Sequence, residues 1–274
     1  MRTRTPLSLA LSFMLLAVTG GSAVAQGMPT TQPARVSIFV ERVKVGMDDD
    51  HEINEAGWPA AYGKAGSTSY YLALSSMTGP AEVWYVTPYD SYAAEGTQMK
   101  WEDGIAGLGA ELSRLWRADA QFLESSEQFE AVARPDLSHG AFPDLALVRF
   151  FEITTLRIRL GHEQAFEAAA KVYMENFKRV SPNGSYRMYQ VTHGMPGANY
   201  VVFSTVNDFA EYDRMMADNN AMFTSMNAKD MAILQKATAD DFQNVISNRY
   251  RVSPGMSYVA PDTKAKDPAF WNKR

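Results

Sequence analysis

Apolar and polar residues alternate from Arg35 through Val36-Ser37-Ile38-Phe39-Val40-Glu41, a period of two that predicts a strand with one buried face. A second strand is predicted at Leu145 to Glu152, continuing through Leu156-Arg157-Ile158-Arg159-Leu160. After it the period lengthens. Phe166, Ala169, Tyr173, Phe177 and Val180 recur at helical spacing, with Glu163 near the start and Lys178-Arg179 near the end, and Pro182-Asn183-Gly184 stops the helix. Tyr186 to Thr192 and Asn199 to Ser204 then read as strands joined by the turn Gly194-Met195-Pro196-Gly197. A long helical region from Asp208 to about Ala239 and a last strand near Val245 to Val252 complete the series.

The same order runs through the preceding residues. Val45-Gly46 matches Leu160-Gly161, and at the same spacing Glu52, Trp58 and Tyr62 match Glu167, Tyr173 and Phe177. Ser69-Tyr70 matches Ser185-Tyr186, Pro80 matches Pro196, and Val83 to Thr87 matches Tyr200 to Ser204 with a one-residue shift. Leu108, Leu112, Leu115 and Leu123 mark the second helix of the first copy. Collinear self-similarity of this length reads as a duplicated domain, with repeat 1 at residues 35–139 and repeat 2 at residues 144–258. Gly57 and Pro59 interrupt the first helix of repeat 1 where repeat 2 has Val172 and Met174, and a proline inside a helix removes a hydrogen bond and kinks it.

Each copy reads strand, helix, strand, strand, helical segment, strand, the βαββαβ order of a ferredoxin-like unit. Such a sheet carries helices on one face, so its other face needs a cover, and a second sheet supplies one. The expected fold class is α+β, two tandem ferredoxin-like repeats forming an intrachain pseudo-dimeric barrel. This order resembles the dimeric α+β barrel superfamily, which includes antibiotic-biosynthesis-type monooxygenases, heme-degrading enzymes, muconolactone isomerases and NIPSNAP-like proteins. The resemblance spans nearly all of Val36 to Tyr258 and is topological. It implies a ligand pocket between sheet and helices. It also implies that heme degradation needs a histidine in the helix after the third strand, and residues 90–111 and 208–230 contain none.

Outside the repeats the pattern changes character. Arg2 and Arg4 precede the apolar run Leu7 to Val18, and small residues end in Ala23-Val24-Ala25, the layout of a secretory signal peptide over residues 1–25 with cleavage after Ala25. Residues 26–34 read as a linker. Residues 259–274 read as a charged, loosely ordered tail in which Phe270 and Trp271 are expected to dock on the barrel. These features place the chain in a periplasm or outside the cell. No cysteine is present, which excludes disulfides, thiolate metal sites and a lipoprotein anchor. The formal net charge of −5 becomes −7 once Arg2 and Arg4 leave with the leader, a field that disfavours nucleic acid and anionic membrane surfaces. No apolar stretch after residue 25 is long enough to span a bilayer. The pseudo-dimer being intrachain, a monomer is expected.

Candidate chemistry concentrates in repeat 2. Arg187, Tyr189, Val191 and His193 share one strand face, where a cation, a phenol and an imidazole can hold and deprotonate a phenolic or enolic substrate. A solvated strand face explains the same pattern. The aromatic residues Trp58, Tyr62, Trp84, Tyr173 and Phe177 are candidate ligand-binding side chains, although ordinary core packing demands the same spacing. Met215, Met216, Met222, Met226 and Met231 suggest Cu(I) binding as an alternative to gap filling. The other histidines, His51, His139 and His162, are scattered, and Asp48-Asp49-Asp50 reads as helix capping rather than metal binding. No phosphate-binding loop, nucleophile elbow, zincin motif or heme-attachment motif occurs. These readings give an exported protein that binds a small apolar or aromatic molecule, with oxygenase or isomerase chemistry that needs no metal and no cofactor; a non-catalytic interaction protein is the rival.

Overall fold

The computed structural model describes residues 27–273; the expected signal peptide lies outside the described residues. Eight strands alternate with helices in chain order. The first half comprises β1 (Arg35–Val43), α1 (Asp48–Glu55), α2 (Gly57–Ala65), β2 (Tyr71–Ser76), β3 (Glu82–Tyr89), α3 (Tyr92–Gly104), α4 (Leu108–Asp119) and β4 (Leu123–Ala133). The second comprises β5 (Phe150–Ile158), α5 (Glu163–Val180), β6 (Tyr186–His193), β7 (Ala198–Val206), α6 (Glu211–Ser225), α7 (Ala228–Asp240) and β8 (Phe242–Tyr258). The short helices α8 (Pro261–Lys266) and α9 (Pro268–Trp271) follow.

The strands close into one antiparallel barrel in the order β1-β3-β2-β8-β5-β7-β6-β4. Four neighbours come from each half, and the seams are β2 against β8 and β4 against β6. Closure removes the unpaired edges that an open sheet would expose. Alternation along β1 sends Val36, Ile38 and Val40 into the barrel interior, where they meet Leu72, Leu74, Trp84, Phe129, Phe151, Ile153, Val201 and Tyr250 from both halves. The opposite face of each half lies under its own helices. There the first half packs Tyr71, Ala73 and Tyr85, joined by Met256 from the end of β8, and the second packs Ile158, Phe166, Met188 and Tyr200.

Several elements differ from the pattern's expectation. Leu145 to Val148 form a turn rather than a strand: Leu145, Ala146 and Val148 are buried at the barrel end instead of joining the ladder, and Leu147 is exposed. The long helical region of the second half breaks between α6 and α7, where the Asn227 side chain caps the new helix by accepting from the Asp230 N–H. Leu123 starts β4 instead of continuing a helix. Met28 packs against the barrel core and the Gln32 amide donates to the Met188 carbonyl, so residues 27–34 lie across the barrel mouth rather than spanning open space. The tail is ordered into α8 and α9, with Trp271 buried, its indole N–H donating to the Ala146 carbonyl, as docking requires. The first helix of the first half divides at Ala56, between α1 and α2, whereas α5 is continuous over 18 residues.

Candidate functional site

The break between α1 and α2 sits above a cavity of about 340 Å³ between the sheet and the helices of the first half. Outward residues of β1, Ser37, Phe39 and Glu41, form part of its floor, together with Tyr71, Tyr85 and Gln128 from neighbouring strands. The helical side contributes Glu55, Trp58, Tyr62, Gln98, Glu102 and Trp116. The wall is therefore rich in aromatic rings yet carries carboxylates and amides. Trp116 stands edge-on to Phe39 at 5.8 Å, and Tyr62 is edge-on to Tyr71 at 6.3 Å. The Trp58 indole Nε1 is buried without a hydrogen-bond partner, a donor available to a bound molecule.

One end of this cavity meets a buried polar cluster. His51 Nε2 lies 2.9 Å from Glu41 Oε2 and 3.7 Å from Asp119 Oδ1. Asn54 Nδ2 donates to the same Asp119 oxygen at 3.2 Å. Glu55 joins them, and the four side chains bring one donor atom each to within 4.8 Å of one another. All are shielded from solvent, with Asp119 0% and His51 1% exposed. Burial, then the negative charge of Asp119, raises the Glu41 carboxyl to about 9. Burial, followed by the charges of Glu41 and Asp119, raises Glu55 to about 8, and the neighbouring Tyr85 hydroxyl partly opposes both shifts. Three carboxylates in so small a volume resist ionising together, since an uncompensated buried charge is costly. Glu41, His51, Glu55 and Asp119 are also the described residues whose donor set fits a metal ion.

The second half lacks this chemistry. Gly46 and Gly161 make equivalent turns, both at positive φ, after β1 and β5. Counting from them, Leu156, Phe166 and Ala170 stand where the first half has Glu41, His51 and Glu55. There Phe166 packs on Tyr200 with ring centroids 4.6 Å apart, among Ile158 and Met188, and the space is filled with apolar side chains.

The residues singled out in repeat 2 do not converge on a site. Arg187 and Tyr189 share a face as alternation required, but it is the barrel interior and not the helix-covered face. Arg187 is buried, which lowers its pKa, and its guanidinium donates to the carbonyls of His139, Tyr186 and Gly140 at 2.5, 2.7 and 2.8 Å. Tyr189 packs edge-on against Phe203. His193 is at the far end of β6 with its side chain 68% exposed, beside Thr192 and Glu130. The strand runs from the closed barrel end to a solvent-facing turn, so one face does not mean one environment. Among the candidate aromatics, Trp58 and Tyr62 line the cavity. Trp84 is in the barrel interior, its indole donating to Glu82, and Tyr173 and Phe177 stack on each other beneath Tyr186. The methionines are divided too: Met222 is fully buried and Met216 is 56% exposed, so the run presents no single thioether face. Arg187 and Tyr189 border a separate apolar cavity of about 70 Å³ inside the barrel, capped by Met28, Pro29 and Pro33.

Sequence reasoning missed the polar cluster, although two signals were present. Glu41 falls on the helix-covered face of a strand, and His51 and Glu55 are spaced i, i+4 on one helical face. The Asp48-Asp49-Asp50 run, expected to cap the helix, makes no side-chain cap on α1 and supplies only negative charge to its first turn.

Comparison with solved structures gives the class to which this geometry belongs. A monooxygenase-like protein from Fusobacterium nucleatum superposes with a TM-score of 0.52 at 11% identity, over 81% of this chain and 93% of that one. An anthrone oxidase-like protein gives 0.51 at 10% identity, over 80% and 91%. A chlorite dismutase variant from Candidatus Nitrospira defluvii gives 0.50 at 8% identity, over 82% and 94%. The chain shares their fold, and at such identities the likeness is one of fold alone. No family model matches the sequence, and the comparison with curated proteins finds no match.

Proposed function

We propose that the protein binds a small aromatic molecule, phenolic or quinone-like, in the first-half cavity, and acts on it as an oxygenase or isomerase. The observation that carries this reading is the cavity itself. Its volume lies at the lower end of the range for small-molecule pockets, and its wall joins aromatic rings to a few polar groups, the composition such pockets share. Trp58, Tyr62 and Trp116 would hold the ring system, and Glu41, Glu55 and Glu102 are the carboxyl groups within its reach. The monooxygenase-like and anthrone oxidase-like neighbours support the reading at the level of fold.

The proposal extends to architecture and compartment. The two halves are a tandem duplication of a ferredoxin-like unit, supported by the matching strand orders β4-β1-β3-β2 and β8-β5-β7-β6. The second half has become scaffold, its pocket filled by Phe166 and Leu156. The leader over residues 1–25 directs export.

A panel of phenols and quinones of one to three rings, read by thermal shift and by tryptophan fluorescence, tests the pocket. At least one compound is expected to raise the melting temperature saturably and to lose affinity about tenfold or more in Trp58→Ala and Tyr62→Leu. A panel that leaves the wild type unshifted, or a ligand whose affinity both variants retain, would refute it.

A further inference from the structure

We propose that Glu41, His51, Glu55 and Asp119 are the ligands of a divalent first-row transition-metal ion of the manganese or ferrous class, with an open coordination position facing the first-half cavity. The open position rests on the pocket reading; the ion does not.

Geometry is the first argument. Donors around a divalent ion at about 2.1 Å stand roughly 3 to 4.3 Å apart; the four donor atoms here lie within 4.8 Å of one another, so the set needs only a small side-chain contraction to close on an ion. They come from three elements: β1 supplies Glu41, α1 supplies His51 and Glu55, and the end of α4 supplies Asp119. The i, i+4 spacing places His51 and Glu55 on one face of α1, and that face meets the strand.

The second argument is independent of clustering. Glu55 Oε1 and Asp119 Oδ2 are buried without a hydrogen-bond partner, in residues only 3% and 0% exposed. Buried carboxylate oxygens are ordinarily satisfied, and an orphan acceptor lacks something positive beside it. Among the described residues no lysine or arginine forms an ion pair with any of the four; beyond the His51 contacts and the hydrogen bond between Glu41 and Asp119, the cluster is met by Asn54 and the tyrosine hydroxyl of Tyr85. An ion would take the place of the protons that these carboxyls otherwise hold and would meet the two orphan oxygens.

Ligand chemistry selects the ion. Three carboxylates and one imidazole are too oxygen-rich for Cu(I), include a nitrogen that magnesium and calcium seldom take, and fall short of the nitrogen- or sulfur-rich sets that zinc favours, so manganese and ferrous iron are the best match. Glu41 and Glu55 border the cavity, whereas His51 and Asp119 lie behind them, so the ion would be approached from the cavity side. There it would act as a Lewis acid on an oxygen of the bound molecule.

The test is a Mn²⁺ titration of full-length mature protein after dialysis against a chelator, with free Mn²⁺ followed by electron paramagnetic resonance. One equivalent is expected to bind per chain, and pulsed measurements are expected to show ¹⁴N coupling from His51. Outer-shell partners alone change metal affinity by about 10–100-fold, so losing a ligand in His51→Ala or Glu55→Gln should weaken binding by about a hundredfold or more, while Glu111→Gln, on the exposed face of α4, leaves it unchanged. Absence of stoichiometric binding, binding without ¹⁴N coupling, or binding that His51→Ala and Glu55→Gln leave intact would each overturn the proposal. The ¹⁴N signal is read on the wild type, so a variant that fails to fold does not block the test. No organic ligand is needed: Mn²⁺ uptake without aromatic binding would defeat the pocket reading alone, and the reverse result would defeat the metal site alone.

Discussion

Glu41 and Glu55 are carboxyls that burial and neighbouring negative charge move to about 9 and about 8. Both folded values lie above those of an unfolded chain. Their contribution to stability is therefore complete below about pH 4.5, falls progressively as pH rises, and is fully lost above the folded values of about 8 and 9. Metal-free protein is expected to lose on the order of a few kcal/mol of unfolding free energy across that range. Glu41→Gln should flatten the alkaline limb, and chemical denaturation at a series of pH values checks it. Arg187 calls for a different experiment. In Arg187→Met the Gly140 carbonyl would lose its donor while the His139 and Tyr186 carbonyls keep each other's backbone N–H, a cost of about 1–3 kcal/mol, yet Arg187 does not touch the first-half cavity. Denaturation should show the loss, and ligand and Mn²⁺ affinities measured below the transition should stay within about twofold. His193→Ala, at an exposed turn, should fall within about 0.5 kcal/mol of wild type. If His193→Ala abolished activity while the cavity variants did not, the site would have to be moved to β6.

At the scale of the elements, the interrupted helix is what separates the halves. Gly57 opens α2 at a place where a Cβ would come 2.5 Å from the Leu115 side chain of α4, so the break lets the two helices approach closely. Gly57→Ala should cost about 1–3 kcal/mol through overpacking and shift Leu115 toward the cavity, measurable by denaturation and by weaker ligand binding. This element was legible in the sequence, because Gly57 and Pro59 are local signals that act through their own backbone. So was the order of strands and helices, carried by short-range alternation in segments such as Val36 to Glu41. The polar cluster was not legible in the same way. Asp119 joins it from the end of α4, 68 residues beyond His51, and only the tertiary arrangement makes them neighbours. On β6 alternation assigned Arg187 and Tyr189 to one face correctly, but which face looks into a barrel depends on closure with β4, a long-range fact.

Closure also decides how the whole molecule holds together. The interior cluster draws Val36, Leu74 and Trp84 from the first half and Phe151, Val201 and Tyr250 from the second, so neither half owns a complete core. Separation would expose those side chains and free four strand edges, β2 and β4 on one side, β6 and β8 on the other. A chain built this way depends on its own second half as one subunit of a barrel dimer depends on the other. Residues 27–139 and 144–273, expressed separately, are therefore expected to self-associate or aggregate. Expressed together, they should co-elute as one complex, since the seams pair β2 with β8 and β4 with β6 independently of the connecting chain. Size-exclusion chromatography with light scattering distinguishes these outcomes. A folded monomer of residues 27–139 would show that the first half covers its inner face without a second sheet. Should that fragment instead form a homodimer that still binds one Mn²⁺ per chain, the cluster would be confirmed as a property of the first half alone, with the second half replaceable by any sheet that closes the barrel.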